Sequence, residues 1–235
     1  MTTAYAQRNE LERTSWVHGL LRKRYYDVLM LFSSRASRLV PELSSDRLLM
    51  RQLTLRDETE WINLRYANTQ WLEPWDPTSP LGVPEPMTFA QMIRAKNEAA
   101  RDGSGFSWAI ALPQLHQSRP PLIGQVSLSG IQYGAARSGS IGYWIDRSHA
   151  GFGLMPEACA LVIDHCFESL ELHRLEINIR PENEASLRVV EKLGFRDEGL
   201  RRGFLHINGA WADHRTFALN REELSTTMLE RIYER

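Results

Sequence analysis

The chain has 235 residues, 43% hydrophobic and 24% charged, which is the balance of a folded soluble chain and excludes wholesale disorder. Its 28 lysines and arginines against 29 aspartates and glutamates leave a formal charge of −1, without the basic excess of a general nucleic-acid binder. Two cysteines exclude a disulfide scaffold, and no run approaches the roughly 18 apolar residues of a membrane span.

Residues 1–42 read as an N-terminal helical extension. The first 40 carry seven basic side chains and three acidic ones, one glycine and no proline. Leu11, Trp16 and Leu20, and again Val17, Leu21 and Val28, fall near helical spacing. The plain reading is a helix packed on its own domain or on a partner subunit, and a homodimer is one expected assembly. Contact of Arg22-Lys23-Arg24 with a membrane surface or nucleic acid is the lesser alternative. The apolar run Val28 to Phe32 is too short for a signal peptide, so a cytoplasmic protein is expected.

Pro41 to Ser45 reads as a connector and Leu48 to Leu53 as a first strand. Asp57 can cap a helix over Glu58 to Asn68. Pro74 and Pro77 forbid a regular helix over Trp71 to Pro77, and four prolines make 76–87 a loop. Thr88 to Arg101 is a second helix. Strands follow at Phe106 to Leu112, Leu122 to Ile131 and Ser140 to Ile145, then a long apolar helix from Leu154 to Leu170. Cys159 and Cys166 lie on that helix about 10 Å apart along its axis, too far for a disulfide, and read as buried thiols. Arg174 to Ile179 is a strand, and Asn183 to Leu193 is a helix closed by Gly194. Strands over 195–207 and 211–219 are joined by the hairpin signal Asn208-Gly209. The order defines an α/β (α+β) domain over 43–222, followed by a helical tail over 223–235.

Ala150-Gly151-Phe152-Gly153-Leu154 turns the strand Ile141 to Ile145 into the long helix. Glycines there let backbone N–H groups and a helix N-terminus face one anion. Pro156 breaks the Rossmann pattern, and no Gly-Lys-Ser/Thr follows, which excludes a P-loop. Asn183 and Ser186 share one face at a helix start. They suit capping, and equally an amide that holds a ligand chain and a hydroxyl that donates a proton.

The glycine loop, Asn183-x-x-Ser186 and Lys192-Leu193-Gly194-Phe195 together resemble the GNAT superfamily of acyl-CoA N-acyltransferases. Leu72-Glu73-Pro74-Trp75, Ile141-Gly142-Tyr143-Trp144-Ile145, Leu172-His173-Arg174-Leu175-Glu176, Gly194 to Gly199 and Asn208 to His214 are similar to its RimJ/RimL group, which acetylates protein N-termini, ribosomal-protein alanines among them. The resemblance covers about residues 45–222. It implies a central mixed sheet of about seven strands, flanked by helices, whose two central parallel strands splay apart.

It further implies acetyl-CoA as co-substrate. The pantetheine arm would pair with the backbone of Ile141, Tyr143, Trp144 and Ile145, the pyrophosphate with Ala150, Gly151, Phe152, Gly153 and Leu154, and Asn183 and Ser186 would complete the donor site. The family often opens its loop with Gln or Arg three residues before the first glycine; here Ser148 stands there, beside Arg147. Glu198 and His214 are the base candidates, Ser186 the acid and Tyr143 its alternative. Glu73 and Trp75 would hold the amine acceptor. No Cys/His spacing suggests a metal. A free α-amine, pKa about 8, is roughly a tenth neutral at pH 7, so an N-terminal acceptor needs only a modest base. The expected activity is N-terminal acetylation of a protein; acetylation of a small amine such as an antibiotic or polyamine, and a non-catalytic acyl-CoA-binding module, are the alternatives.

Overall fold

The computed structural model describes residues 39–81, 87–113 and 120–234; the helices expected before residue 39 lie outside them. In chain order come β1 (Leu43–Ser44), β2 (Leu49–Arg51), α1 (Glu58–Ala67), α2 (Thr69–Leu72) with a 3-10 turn at Glu73–Trp75, α3 (Phe89–Asp102), β3 (Phe106–Ala111), β4 (Leu122–Gln132), β5 (Ser138–Ile145), α4 (Leu154–Glu168), β6 (Arg174–Ile179), α5 (Glu184–Leu193), β7 (Arg196–Ile207), β8 (Ala210–Asn220) and α6 (Met228–Tyr233). The eight strands form one sheet, ordered β1-β2-β3-β4-β5-β6-β8-β7. Every neighbouring pair is antiparallel except β5 with β6.

Alternation along β3 shows how the sheet is covered. Trp108 and Ile110 join the main core with α4, α5 and α6, while Ala109 and Ala111 join a smaller cluster built on Phe89 and Ile93 of α3 and Trp61 and Leu64 of α1. Helix α4 is apolar nearly all round, and all ten residues from Leu154 to Ile163 are buried. Each large apolar side chain there contributes about 1.5–3 kcal/mol by leaving water. No helix among the described residues is long and apolar enough to cross a membrane.

Two expectations change in detail. The eighth strand is β1, part of the supposed connector: Ser45 N–H bonds Leu48 O at 3.0 Å, and this tight turn pairs Leu43 with Met50. Trp71 and Leu72 are helical after all, and Pro74 falls in the first turn of the 3-10 segment, where its missing N–H costs nothing. Leu39 to Arg235 form one compact unit, with Val40 in the core and Pro41 O accepting the Trp108 indole N–H at 2.9 Å. The helix in the expected tail docks on α4, where Asp164 accepts the Leu229 N–H at 3.0 Å.

The feature that positions the site is the parting of β5 and β6. They pair only at Ser138–Arg174, Gly139–Leu175 and Ser140–Glu176. Both strands then continue, to Ile145 and Ile179, without pairing each other.

Candidate active site

Successive residues of a strand present their polar backbone groups to opposite edges. Asp146 N–H goes to Ile123 O of the segment that forms β4, at 2.7 Å, whereas Ile145 O turns away and accepts the Trp71 indole N–H at 3.1 Å. By the same alternation Tyr143 and Ile145 present their backbone groups to the gap. A cavity of about 920 Å3 fills this gap and is lined from both faces of the sheet.

On the α4–α5 face the lining includes Ala150, Gly151, Gly153, Asn183, Ser186 and Lys192. Gly151 and Gly153 have φ of +87° and +76°, which only glycine adopts freely, and Gly153 opens directly into α4. A Cβ placed on Gly153 would lie 3.5 Å from Lys192 Nζ and 3.8 Å from Arg47 Nη2. Bare backbone, a helix N-terminus and Lys192 thus converge on the cavity, with Arg47 behind the loop and outside the lining, and this donor set fits a pyrophosphate. Asn183 Oδ1 accepts the Ser186 N–H at 3.1 Å, so it caps α5 while lining the cavity. Ser148 does not line the cavity; Arg147 does, over the Trp71 ring.

The opposite face presents Gln125, Ser127 and Ser129 of β4, with Trp71, Trp75, Asp76, Arg180 and Trp144. Gly142, between Ser140 and Trp144, leaves this floor open. Gln125 is over nine-tenths buried, and its Oε1 has no partner among the described residues. Arg180 donates to Pro74 O at 3.2 Å and lies over Trp75, which fixes that turn.

Of the expected reactive groups, Tyr143, Ser186 and His214 line one cavity. Tyr143 Oη donates to Ser186 O at 3.3 Å, and burial pushes its pKa well above the ordinary phenol value. His214 is buried and donates from Nδ1 to Ala212 O at 3.0 Å. A carbonyl can only accept, so Nδ1 carries the proton and Nε2 keeps a lone pair. Burial also holds the pKa of His214 below the ordinary histidine value.

Glu198 stands elsewhere. It is absent from the lining, and its carboxylate takes hydrogen bonds from Arg174 at 3.1 Å and Arg196 at 2.7 Å. These bonds hold its pKa at about 2, which makes it a poor proton acceptor. Glu73 is exposed and outside the lining; the acid on the wall is Asp76, three residues on, paired with Arg65. Phe152 is exposed and Leu154 is packed as the first residue of α4, so neither side chain lines the cavity. Asp76, Gln125 and Arg47 escaped the sequence reading as site residues, and Lys192 entered it only as part of the Lys192–Phe195 motif. Among the described residues no group of three or more His, Cys, Asp or Glu could hold a metal.

A splayed sheet with a glycine loop at the strand-to-helix turn beside it is the architecture of an acyl-CoA N-acyltransferase. Residues 47–196 match the family described as "Acetyltransferase (GNAT) domain". The chain belongs to this family, is of its RimJ/RimL type, and is an acyltransferase. It is 29% identical over 189 residues, 80% of this chain and 95% of the relative, to the Escherichia coli "[Ribosomal protein uS5]-alanine N-acetyltransferase". It is 48% identical over 98 residues to the Bacillus subtilis "Probable N-acetyltransferase YjcK", a match that spans 42% of this chain and about half, 54%, of that relative. Among solved structures, "Mycobacterium smegmatis RimJ in complex with CoA-disulfide" superposes with a TM-score of 0.73 at 32% identity, covering 83% of this chain and 93% of that one.

Proposed function

We propose that this enzyme transfers an acetyl group from acetyl-CoA to the α-amino group of a protein N-terminus. Bound acetyl-CoA supplies the activated thioester. The N–H groups of the glycine loop, with Lys192, hold its pyrophosphate, and the gap-facing backbone of Tyr143 and Ile145 holds the pantetheine arm. The acceptor enters across Gln125, Ser127 and Gly142, walled by Trp71 and Trp75. As the amine adds to the carbonyl carbon, the Tyr143 backbone N–H stabilises the charge that develops on oxygen. His214 Nε2 takes the proton the amine sheds. The C–S bond then breaks, and the Ser186 hydroxyl protonates the departing thiolate as water returns a proton to the serine and His214 releases its proton to solvent. That thiol has an ordinary pKa near 8.5, so it needs little help to leave.

One observation carries the choice of acceptor. Asp76 is the only acid among the described residues that line the cavity, and Arg65 pairs with it; Arg147, Arg180, Arg188 and Lys192 line the same cavity, Arg180 and Arg188 being paired in turn with Glu182 and Glu184 outside the lining. Such a wall offers a polyamine no unpaired acid and suits a peptide with one amine. The relatives' names support the same reading.

The test is CoA-thiol release with three acceptors: a peptide with a free N-terminal alanine, its N-terminally blocked twin with an internal lysine, and spermidine. Release with the first alone is expected. Release with spermidine alone would replace the reading with small-amine acetylation, and silence with all three despite acetyl-CoA binding would point to a binding module.

A further inference from the structure

Behind the glycine loop lies a polar knot that the mechanism above does not use. Glu157, in the first turn of α4, is fully buried. Its Oε1 accepts from Ser45 Oγ at 2.6 Å and from Tyr233 Oη at 2.7 Å. Its Oε2 accepts from Arg47 Nε at 2.7 Å and also from Arg47 Nη2. The donors come from the β1–β2 turn and from α6, far apart in sequence. A carboxylate taken out of water is costly to keep, so bonds of this number and geometry hold their donors firmly.

The remaining guanidinium nitrogen, Arg47 Nη1, donates to the Phe152 carbonyl at 3.2 Å. In a trans peptide the carbonyl and the next N–H point in opposite directions. Bonding Phe152 O to Arg47 therefore turns the Gly153 N–H the other way, toward the cavity that Gly153 lines and Phe152 does not. The plane of this peptide turns on Phe152 ψ and Gly153 φ, and without a tether the freedom of Gly153 would let it rotate. Arg47 itself does not line the cavity.

We propose that Arg47, fixed by Glu157 and Tyr233, is a positioning residue that aims the Phe152–Gly153 peptide at the pyrophosphate of acetyl-CoA, which makes the C-terminal helix part of the donor site. This rests on the reading of the glycine loop as the pyrophosphate cradle.

The test compares acetyl-CoA with acetyl-pantetheine, the same thioester without the pyrophosphate, on the full chain. For Arg47→Met, KM and Kd for acetyl-CoA rise about tenfold, the loss of one charge-assisted bond, while kcat stays within about twofold. Turnover of acetyl-pantetheine is unchanged. Arg47→Met/Glu157→Gln, which leaves no unpaired buried charge, shows the same selective loss and decides the matter if the single variant does not fold. Tyr233→Phe moves acetyl-CoA affinity the same way, by a few fold. Unchanged acetyl-CoA affinity in the Arg47 variants, or equal loss for both thioesters, overturns the inference. Failure of the folded wild type to bind acetyl-CoA sinks the cradle reading itself, a different result.

Discussion

The Trp71 indole N–H ends on the Ile145 carbonyl, 3.1 Å away, and so joins the acceptor wall to the donor strand. The bond occupies the last gap-facing carbonyl of β5, so in the proposed reading the pantetheine arm meets the Ile145 N–H and the Tyr143 backbone. It also fixes α2, whose register places Trp75 and Asp76 on the wall. Trp71→Phe keeps most of the ring and loses the donor. At about 1 kcal/mol for a neutral hydrogen bond, kcat/KM for an N-terminal peptide should fall about fivefold. Steady-state kinetics with each substrate varied in turn will show the loss in the peptide KM, with little change for acetyl-CoA.

His214 carries the strongest kinetic prediction. Its Nε2 lone pair is available at neutral pH because burial keeps the ring from charging. His214→Gln should lower kcat by about 10²–10³, within the range for losing a general base. The pH profile separates the roles. In the wild type the limb from His214 lies below pH 6.5, and the rise through neutrality follows the acceptor amine. In the variant the low-pH limb disappears.

Local signals in the sequence were sound where one stretch of chain decides the outcome. Asn208 and Gly209 both have positive φ, as the hairpin turn requires, and Gly194 closes α5 in the left-handed region. The glycine loop was legible locally as an anion cradle, and the splayed strands only through family resemblance. What escaped depends on register and on distant partners. Glu198 reads as a free carboxylate until β6 and β7 bring Arg174 and Arg196 to it. Glu73 and Asp76 are three residues apart, and only the course of the 3-10 turn decides which meets the cavity. Arg47 and Glu157 are 110 residues apart, and no spacing rule links them.

Glu198 yields a prediction that separates activity from acid stability. Outside the cavity, Glu198→Gln should keep kcat within about threefold of wild type. The two arginines lower its folded pKa from 4.5 to about 2. Its contribution to stability is therefore present above pH 4.5 and lost as pH falls through about 2. Thermal melts between pH 6 and pH 2 should show a steeper fall for the wild type than for the variant. The difference should shrink in high salt, since the cluster is partly exposed.

Two glycine substitutions separate strain in the donor loop from damage to the sheet. A Cβ on Gly124 would lie 2.4 Å from the Trp144 carbonyl oxygen, a backbone atom of β5 that cannot yield without moving the strand that borders the gap. Overpacking of this kind costs about 1–3 kcal/mol, and at about 2–4 °C per kcal/mol for a chain of this size Gly124→Ala should lower Tm by roughly 2–12 °C. A Cβ on Gly151 would touch nothing within 4 Å, but its φ is +87°. Gly151→Ala is therefore strained only in the loop, by about 1–2 kcal/mol. Relief of that strain rotates the N–H groups away from the pyrophosphate, so acetyl-CoA affinity should fall about tenfold with a smaller change in Tm. Melting curves and acetyl-CoA titrations on both variants check this. Equal Tm losses with unchanged affinity for Gly151→Ala would show that the loop conformation is not what binds acetyl-CoA.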